Sequence, residues 1–206
     1  MNRYYSTISR FGILLMSMLV FSGCATSDLV LKPVYQPVGD GRGPGGELVL
    51  IMSVEGPSRP GSDAVSSVYG EVRNSDGKVK GNIISSISPS AFIREALRQE
   101  LQKAGYDVKF ESEMPKTVKN GLVVTKSEIS LDETTSIVKM EGTCKISVAV
   151  DLWKEGAMIR KLTYEKVVSD YAVRDREKLH NQLLQKTLAA VMKDAQADIV
   201  KYLVQN

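Results

Sequence analysis

The chain has 206 residues, 43% of them hydrophobic and 25% charged, with a net charge of +3. That length suits one domain with its own core, and the composition excludes a disordered chain or a protein of many membrane spans. The charge excess is local: Arg3 and Arg10 precede an apolar run and no carboxylate occurs before Asp28, so residues 24–206 keep 25 basic against 24 acidic side chains. A body so close to neutral gives nucleic acid no electrostatic footing.

Residues 11–21, "FGILLMSMLVF", follow a polar, arginine-bearing start and precede the small residues Ser22, Gly23, Cys24 and Ala25. A positive region, an apolar run and a small-residue site make a secretory signal peptide. Eleven helical residues rise about 17 Å, well short of the roughly 30 Å of hydrocarbon that a spanning helix must cross. "FSGC" resembles the bacterial lipobox, in which the cysteine is acylated and becomes the mature N-terminus; Phe21 stands where an aliphatic residue is usual. The resemblance implies cleavage between Gly23 and Cys24 and an N-acyl diglyceride, palmitate-bearing Cys24. Each buried acyl methylene adds about 0.8 kcal/mol of membrane affinity, so several chains anchor permanently. Ala25 is the sorting residue, since lipoproteins kept at the inner membrane typically have Asp there, and it implies the outer membrane with the body facing the periplasm. Only Cys24 and Cys144 exist, so a lipid on Cys24 leaves Cys144 unpartnered, and a free Cys24 could pair with it instead.

Residues 24–46 hold three prolines and five glycines and read as a tether, with "LVLKPV" able to add a short edge strand. Gly41, Gly43 and Gly46 satisfy G-x-G-x-x-G, but a strand follows where the dinucleotide fingerprint requires a helix. The domain, residues 47–206, opens with "ELVLIMSVE" (47–55), a continuous apolar run that predicts a buried strand. "VYGEVR" and "KVKGNII" can form a hairpin around Asp76-Gly77. Ser88 and Pro89 suit the N-cap and N1 of a helix whose apolar stripe is Phe92, Ile93, Ala96, Leu97, Leu101 and Ala104, closed by Gly105 at C′.

Extended segments follow at "YDVKFES" and "GLVVTKSEISLD" (121–132). The clearest periodicity is "VKMEGTCKISVAVDLW" (138–153), with an apolar even parity and a polar odd parity ending at Trp153. Glu155-Gly156 turns into "AMIRKLTYEKVVSDYAV", and a helix over about 175–204 buries Leu179, Leu183, Leu188, Val191, Ala195, Ile199 and Tyr202. The order β-α-β-β-β-α predicts an α+β fold, two helices packed on one face of an antiparallel sheet.

The lipobox, the first strand, "AFIREALRQELQKAGYDV", the long alternating hairpin and the final helix together resemble the YajG-type family of small bacterial lipoproteins. They resemble also the wider group that includes the lipopolysaccharide-assembly lipoprotein LptE and auxiliary lipoproteins of envelope ABC transporters. The resemblance covers most of the chain after Gly23 and carries packing patterns, so it implies fold and place more than activity.

Chemistry-bearing motifs are scarce. His180 is the one histidine, and Cys144 falls on the inward parity of its strand, where a thiol is an inert small hydrophobe. No H-E-x-x-H, Cys-x-x-Cys, G-x-S-x-G or P-loop occurs, so no catalytic residue, metal or cofactor is implied. The expectation is a non-enzymatic envelope lipoprotein that binds another envelope component through the polar parity from Lys139 to Trp153 or a strand edge. Trp153 is the candidate contact. Two alternatives stand beside it: an oligomeric ring subunit, and a carrier of lipid or another apolar ligand held between sheet and helices.

Overall fold

The alternation at residues 138–153 becomes β7 (Met140–Lys154), the spine of an eight-stranded sheet. The computed structural model describes residues 28–52 and 66–204. Before β7 come β1 (Leu29–Val30), β2 (Gly46–Met52), β3 (Ser67–Asn74), β4 (Val79–Ser85), α1 (Pro89–Lys103), β5 (Tyr106–Phe110) and β6 (Asn120–Thr135); β8 (Ala157–Ala172) and α2 (Arg176–Val204) follow it. Cys144, Ile146, Val148, Val150 and Leu152 are fully buried beneath the helices, as their parity predicts. At Gly142 an added Cβ would meet Leu183 Cδ1 at 2.6 Å, because α2 presses onto the strand there.

The α+β reading holds, with two helices on one face, but the sheet is mixed where an antiparallel one was expected. β3/β4, β6/β7 and β7/β8 are antiparallel; β1/β4, β2/β5, β2/β6 and β3/β6 are parallel. β2 shows why the apolar run is continuous. Leu48 and Leu50 face the helices, while Val49 and Ile51 join Val118, Met114, Val123 and Trp153 in a small cluster on the opposite face. A strand covered on both sides has no polar parity, and that is the pattern of parallel pairing.

β6 organises these pairings through its length. Sixteen residues extend about 53 Å, enough for one edge to accept two shorter strands in succession. β2 takes Gly121–Val124, toward what we term the lower end, and β3 takes Glu133–Thr135, at the upper end. β7 occupies the whole of the other edge. A register shift between Val124 and Lys126 moves the buried parity of β6 from even to odd positions.

Both helices start and face as the sequence predicts. The Ser88 hydroxyl accepts from the Ala91 N–H at 3.2 Å, Pro89 follows, and Gly105 stands beyond the C-cap at φ 98°. α2 runs from the upper end to the lower, burying a wide stripe that holds three polar side chains, His180, Thr187 and Gln196. Tyr202 is only half-buried; Leu203 takes the inner position and the Arg160 guanidinium stacks over the Tyr202 ring.

The expected tether is corrected for residues 28–45, which pack as a strap. β1 adds to the outer edge of β4, and then Leu31, Pro33 and Tyr35 alternate inward between exposed neighbours. The physical reason is a single carboxylate, Glu100, buried on α1. It accepts the Tyr35 hydroxyl, the Val38 N–H (2.7 Å) and the Gly39 N–H (2.9 Å). Gln196 of α2 donates to the Glu100 carbonyl (2.9 Å), and Gly43 N–H donates to the Ala104 carbonyl (2.7 Å). Prolines and glycines here serve a close-fitting path: a Cβ at Gly39 would lie 1.9 Å from Gln196 Oε1.

A Cβ at Gly70 would lie 1.8 Å from the Leu131 carbonyl oxygen, a backbone atom that cannot step aside. Gly70→Ala should therefore cost about 1–3 kcal/mol, and more than Gly142→Ala, where only a leucine methyl must move. Denaturant midpoints compare the two, and equal losses would show that β3 and β6 are free to separate.

Candidate functional site

The register shift in β6 turns Glu133 inward, where the first turns of α2 cover it. His180 Nε2 meets Glu133 Oε2 at 2.7 Å, Arg176 Nη2 meets Glu133 Oε1 at 2.9 Å, and the Thr135 hydroxyl donates to the same oxygen. Arg176 also donates to the Thr135 hydroxyl at 3.1 Å. Burial pushes the Glu133 carboxyl up, but the hydrogen bonds from His180 and Thr135 and the Arg176 charge outweigh it, so the group sits below its ordinary value. A carboxylate beside a histidine is the raw material of acid–base catalysis, yet both side chains are wholly inaccessible. This cluster ties the start of α2 to β6.

Cys144 lies apart from it. Its thiol interacts with Thr187, and burial pushes it up to about 12, so it stays protonated at neutral pH. The ring nitrogen of His180 that has a partner is committed to Glu133, so the structure assembles no Cys144–His180 dyad. Among the described residues no three His, Cys, Asp or Glu side chains converge as a metal site. Gly23, Cys24 and Ala25, the predicted processing and sorting residues, lie outside the described residues.

Trp153 is half-buried against Met114, Val123 and the Val49–Ile51–Val118 cluster on the face opposite the helices. Its ring covers the lower end of that face. Above it the polar parity runs as cross-strand and along-strand pairs: Lys161 with Asp151, Lys145 with Glu165, Thr143 with Ser169 and Lys139 with Glu141. Neither helix reaches this face. β8 pairs only with β7, so one edge of a 16-residue strand has no neighbour among the described residues.

Two open hollows lie among the described residues. One, of about 570 Å³, lies between the strap and α2, with Val34 and Gln36 on one side and Lys178, Gln182 and Gln185 on the other. The strap is held there by reciprocal bonds, Gln36 N–H to Gln185 Oε1 (3.2 Å) and Gln185 Nε2 to the Gln36 carbonyl (3.0 Å). The second, of about 400 Å³, opens where β3 diverges from β6, beside Arg73, Ser130 and Asp132. Both are open to solvent and the second is predominantly polar, unlike the closed apolar chamber that a lipid carrier needs.

Sequence reasoning missed two polar anchors, Glu100 and Glu133. Glu100 had a signal in the alternation of Leu31, Pro33 and Tyr35, obscured by Val30 and Val34 on the opposite parity. Glu133 had none, because the shifted parity of β6 shows no break in composition.

No protein-family model matches the chain, and no curated protein does either. Among solved structures it is similar to protein XCC0632 from Xanthomonas campestris, described under the family model DUF330. That likeness has a TM-score of 0.51 and 8% identity over 85% of this chain and 95% of that one. A minor lipoprotein from Acinetobacter baumannii matches over 84% of this chain and 92% of its own, at 11% identity and a TM-score of 0.37. Rare lipoprotein B from Shewanella oneidensis matches over 65% and 92%, at 15% identity and a TM-score of 0.29. The first likeness shows a shared fold; the other two are too distant to carry an argument.

Glu133 supplies a test by pH. Its folded pKa lies below the ordinary 4.5, so its contribution is complete above that pH and is lost as the pH falls through the folded value. Glu133→Gln should cost roughly 3 kcal/mol near neutrality, as breaking a buried ion pair does, and should flatten the acid limb of a stability–pH curve. An acid limb as steep as in the unsubstituted chain would remove Glu133 as its cause. For Cys144, the Cys24→Ser chain should react with a thiol reagent at mild alkaline pH only after unfolding. Rapid labelling of the native chain would reopen the thiol as a reactive group.

Proposed function

We propose that the protein is a lipid-anchored envelope lipoprotein of the outer membrane, whose periplasmic domain works without catalysis as a binding or adaptor module in envelope assembly or maintenance. One structural observation carries the reading. Glu133, His180 and Cys144 are sealed inside, while a broad sheet face stands open and one edge of β8 has no partner strand among the described residues. An unpaired edge offers backbone donors and acceptors to a partner strand, and a ladder of paired charges offers specificity at its flank. The lysines at 161 and 166 suit such an edge, since charge there discourages indiscriminate pairing.

The anchor rests on the signal-peptide pattern and the lipobox ending at Cys24, the outer-membrane address on Ala25, and both accord with the YajG-type resemblance of the sequence. No helix among the described residues is long and apolar enough to cross a membrane. The free β8 edge also favours a second reading, a ring built by copies of this chain, because edge-to-edge addition repeats by its nature.

Cys24→Ser should move the protein from the membrane pellet to the soluble fraction, or leave it as an uncleaved precursor. Salt-resistant sedimentation unchanged by the substitution would sink the anchor. A photo-crosslinker placed along β8, at Val167 or Ser169, should capture an envelope protein in intact cells, while the same probe on the exposed face of α2 should not. Capture of the chain itself, with a large defined mass in solution, would favour the ring.

A further inference from the structure

One turn in this protein departs from the turn chemistry used elsewhere in the chain. The β3–β4 turn uses Asp76 and Gly77, and β7 passes to β8 through Glu155 and Gly156, both at positive φ. The β6–β7 hairpin closes through Ile137 and Val138, with Ser136 and Lys139 joined beneath them at 2.9 Å. Tight turns favour Gly, Asn, Asp, Ser and Pro, each for a conformational reason, and a β-branched apolar pair gains nothing from the turn itself. Ile137 is fully exposed and Val138 is 73% exposed. Tyr171 and Val173, about two-thirds exposed, reach the same end, because Glu141 pairs with Tyr171 and Met140 with Ala172. Singly scattered apolar side chains are normal on a surface; a group gathered at one extremity signals a contact.

The register brings the entry of the chain to that extremity. Leu29 pairs with Ile83, Ile83 with Gly70, and Val72 with Glu133, so Asp28 stands level with Asp132 of β6. β1 runs against β6, and its N-terminal end therefore faces up. From Asp132 to Ile137 is five residues, roughly 17 Å of rise along the strand. From Cys24 to Asp28 is four residues, which cannot span more than about 14 Å. The reach of the anchor is no longer than the projection of the hairpin.

We propose that the Ile137–Val138 turn, with Tyr171 and Val173, is a second membrane contact that enters the headgroup layer of the bilayer holding the anchor. This rests on the reading of Cys24 as the lipid-bearing residue. The aliphatic side chains occupy the boundary of the acyl chains, and Tyr171 takes the headgroup level, where its ring finds an apolar and its hydroxyl a polar environment. The domain then stands with its upper end on the membrane, and the free edge of β8 runs away from the surface instead of lying on it.

The test uses the full acylated chain carrying Cys144→Ala, with Ile137→Cys labelled by an environment-sensitive fluorophore. It is reconstituted into vesicles of phosphatidylethanolamine and phosphatidylglycerol that contain a lipid-borne quencher. The label at 137 should be quenched several-fold more strongly than the same label at Glu155→Cys, in the turn at the lower end. Equal, weak quenching at both positions in an anchored protein overturns the second contact and leaves the anchor standing. A label at 137 shielded from a water-soluble quencher but untouched by the lipid-borne one means that protein covers the turn, which also overturns it. Conversely, unchanged sedimentation of Cys24→Ser removes the anchor, and strong lipid quenching at 137 would then stand as the turn's own affinity.

Discussion

One strand is longer than its neighbours, and the rest of the architecture follows from that. β6 gives one edge to β7 throughout and divides the other between β2 and β3. Consecutive strands β1 and β2 thereby fall at different ends of the sheet, one outside β4 and the other against the lower half of β6. The chain between them must cross the helix layer. That crossing is the strap, and its polar backbone needs partners because it lies against a core. Glu100 supplies them, its two carboxylate oxygens serving three donors from the strap while its carbonyl engages α2. A glutamate inside a helix stripe would ordinarily be a liability; here it joins strap, α1 and α2.

The same division separates two polar sites inside the protein. Glu100 secures the middle of the molecule, and Glu133 secures the upper end, with Arg176 and His180 arriving from one helical face. Both carboxylates are surrounded by donors, which is how buried charge is tolerated. Neither has an opening to solvent that would admit a substrate. The exposed features that stand out among the described residues are a backbone edge, paired surface charge and a small apolar crown, all of which suit recognition.

Much of the fold was legible in the sequence where the signal is local. Ser88, Pro89 and Gly105 mark α1, and the period of two in β7 places Cys144 and Ile146 inside and Lys145 outside, as found. Pairing direction was not legible, because periodicity says which face is buried and nothing about which strand lies alongside. The residue at 133 shows a second limit. Counting from Leu122 and Val124 by twos places Glu133 on the solvent side, and the irregularity near Thr125 reverses that without changing the residues on either side. The strap hid behind its composition: proline and glycine imply freedom until a partner for their backbone is found. Trp153 fell on the outward parity as read, but the apolar patch beneath it comes from residues far off in sequence, Val49 and Val118 among them.

The strap also sets how the domain bears force. A pull at Asp28 directed toward the upper end acts along β1, so its bonds to β4 are loaded together in shear. Were that short strand to slip, the load would pass to Tyr35, Val38 and Gly39 on Glu100, and only then to the hydrogen bonds of β2 in the sheet. Resistance to such a pull is a matter of unfolding rate, and a strand followed by a buried latch places two successive barriers between Asp28 and the core. Traction applied at the start of the strap would in this way meet resistance before it reached the core.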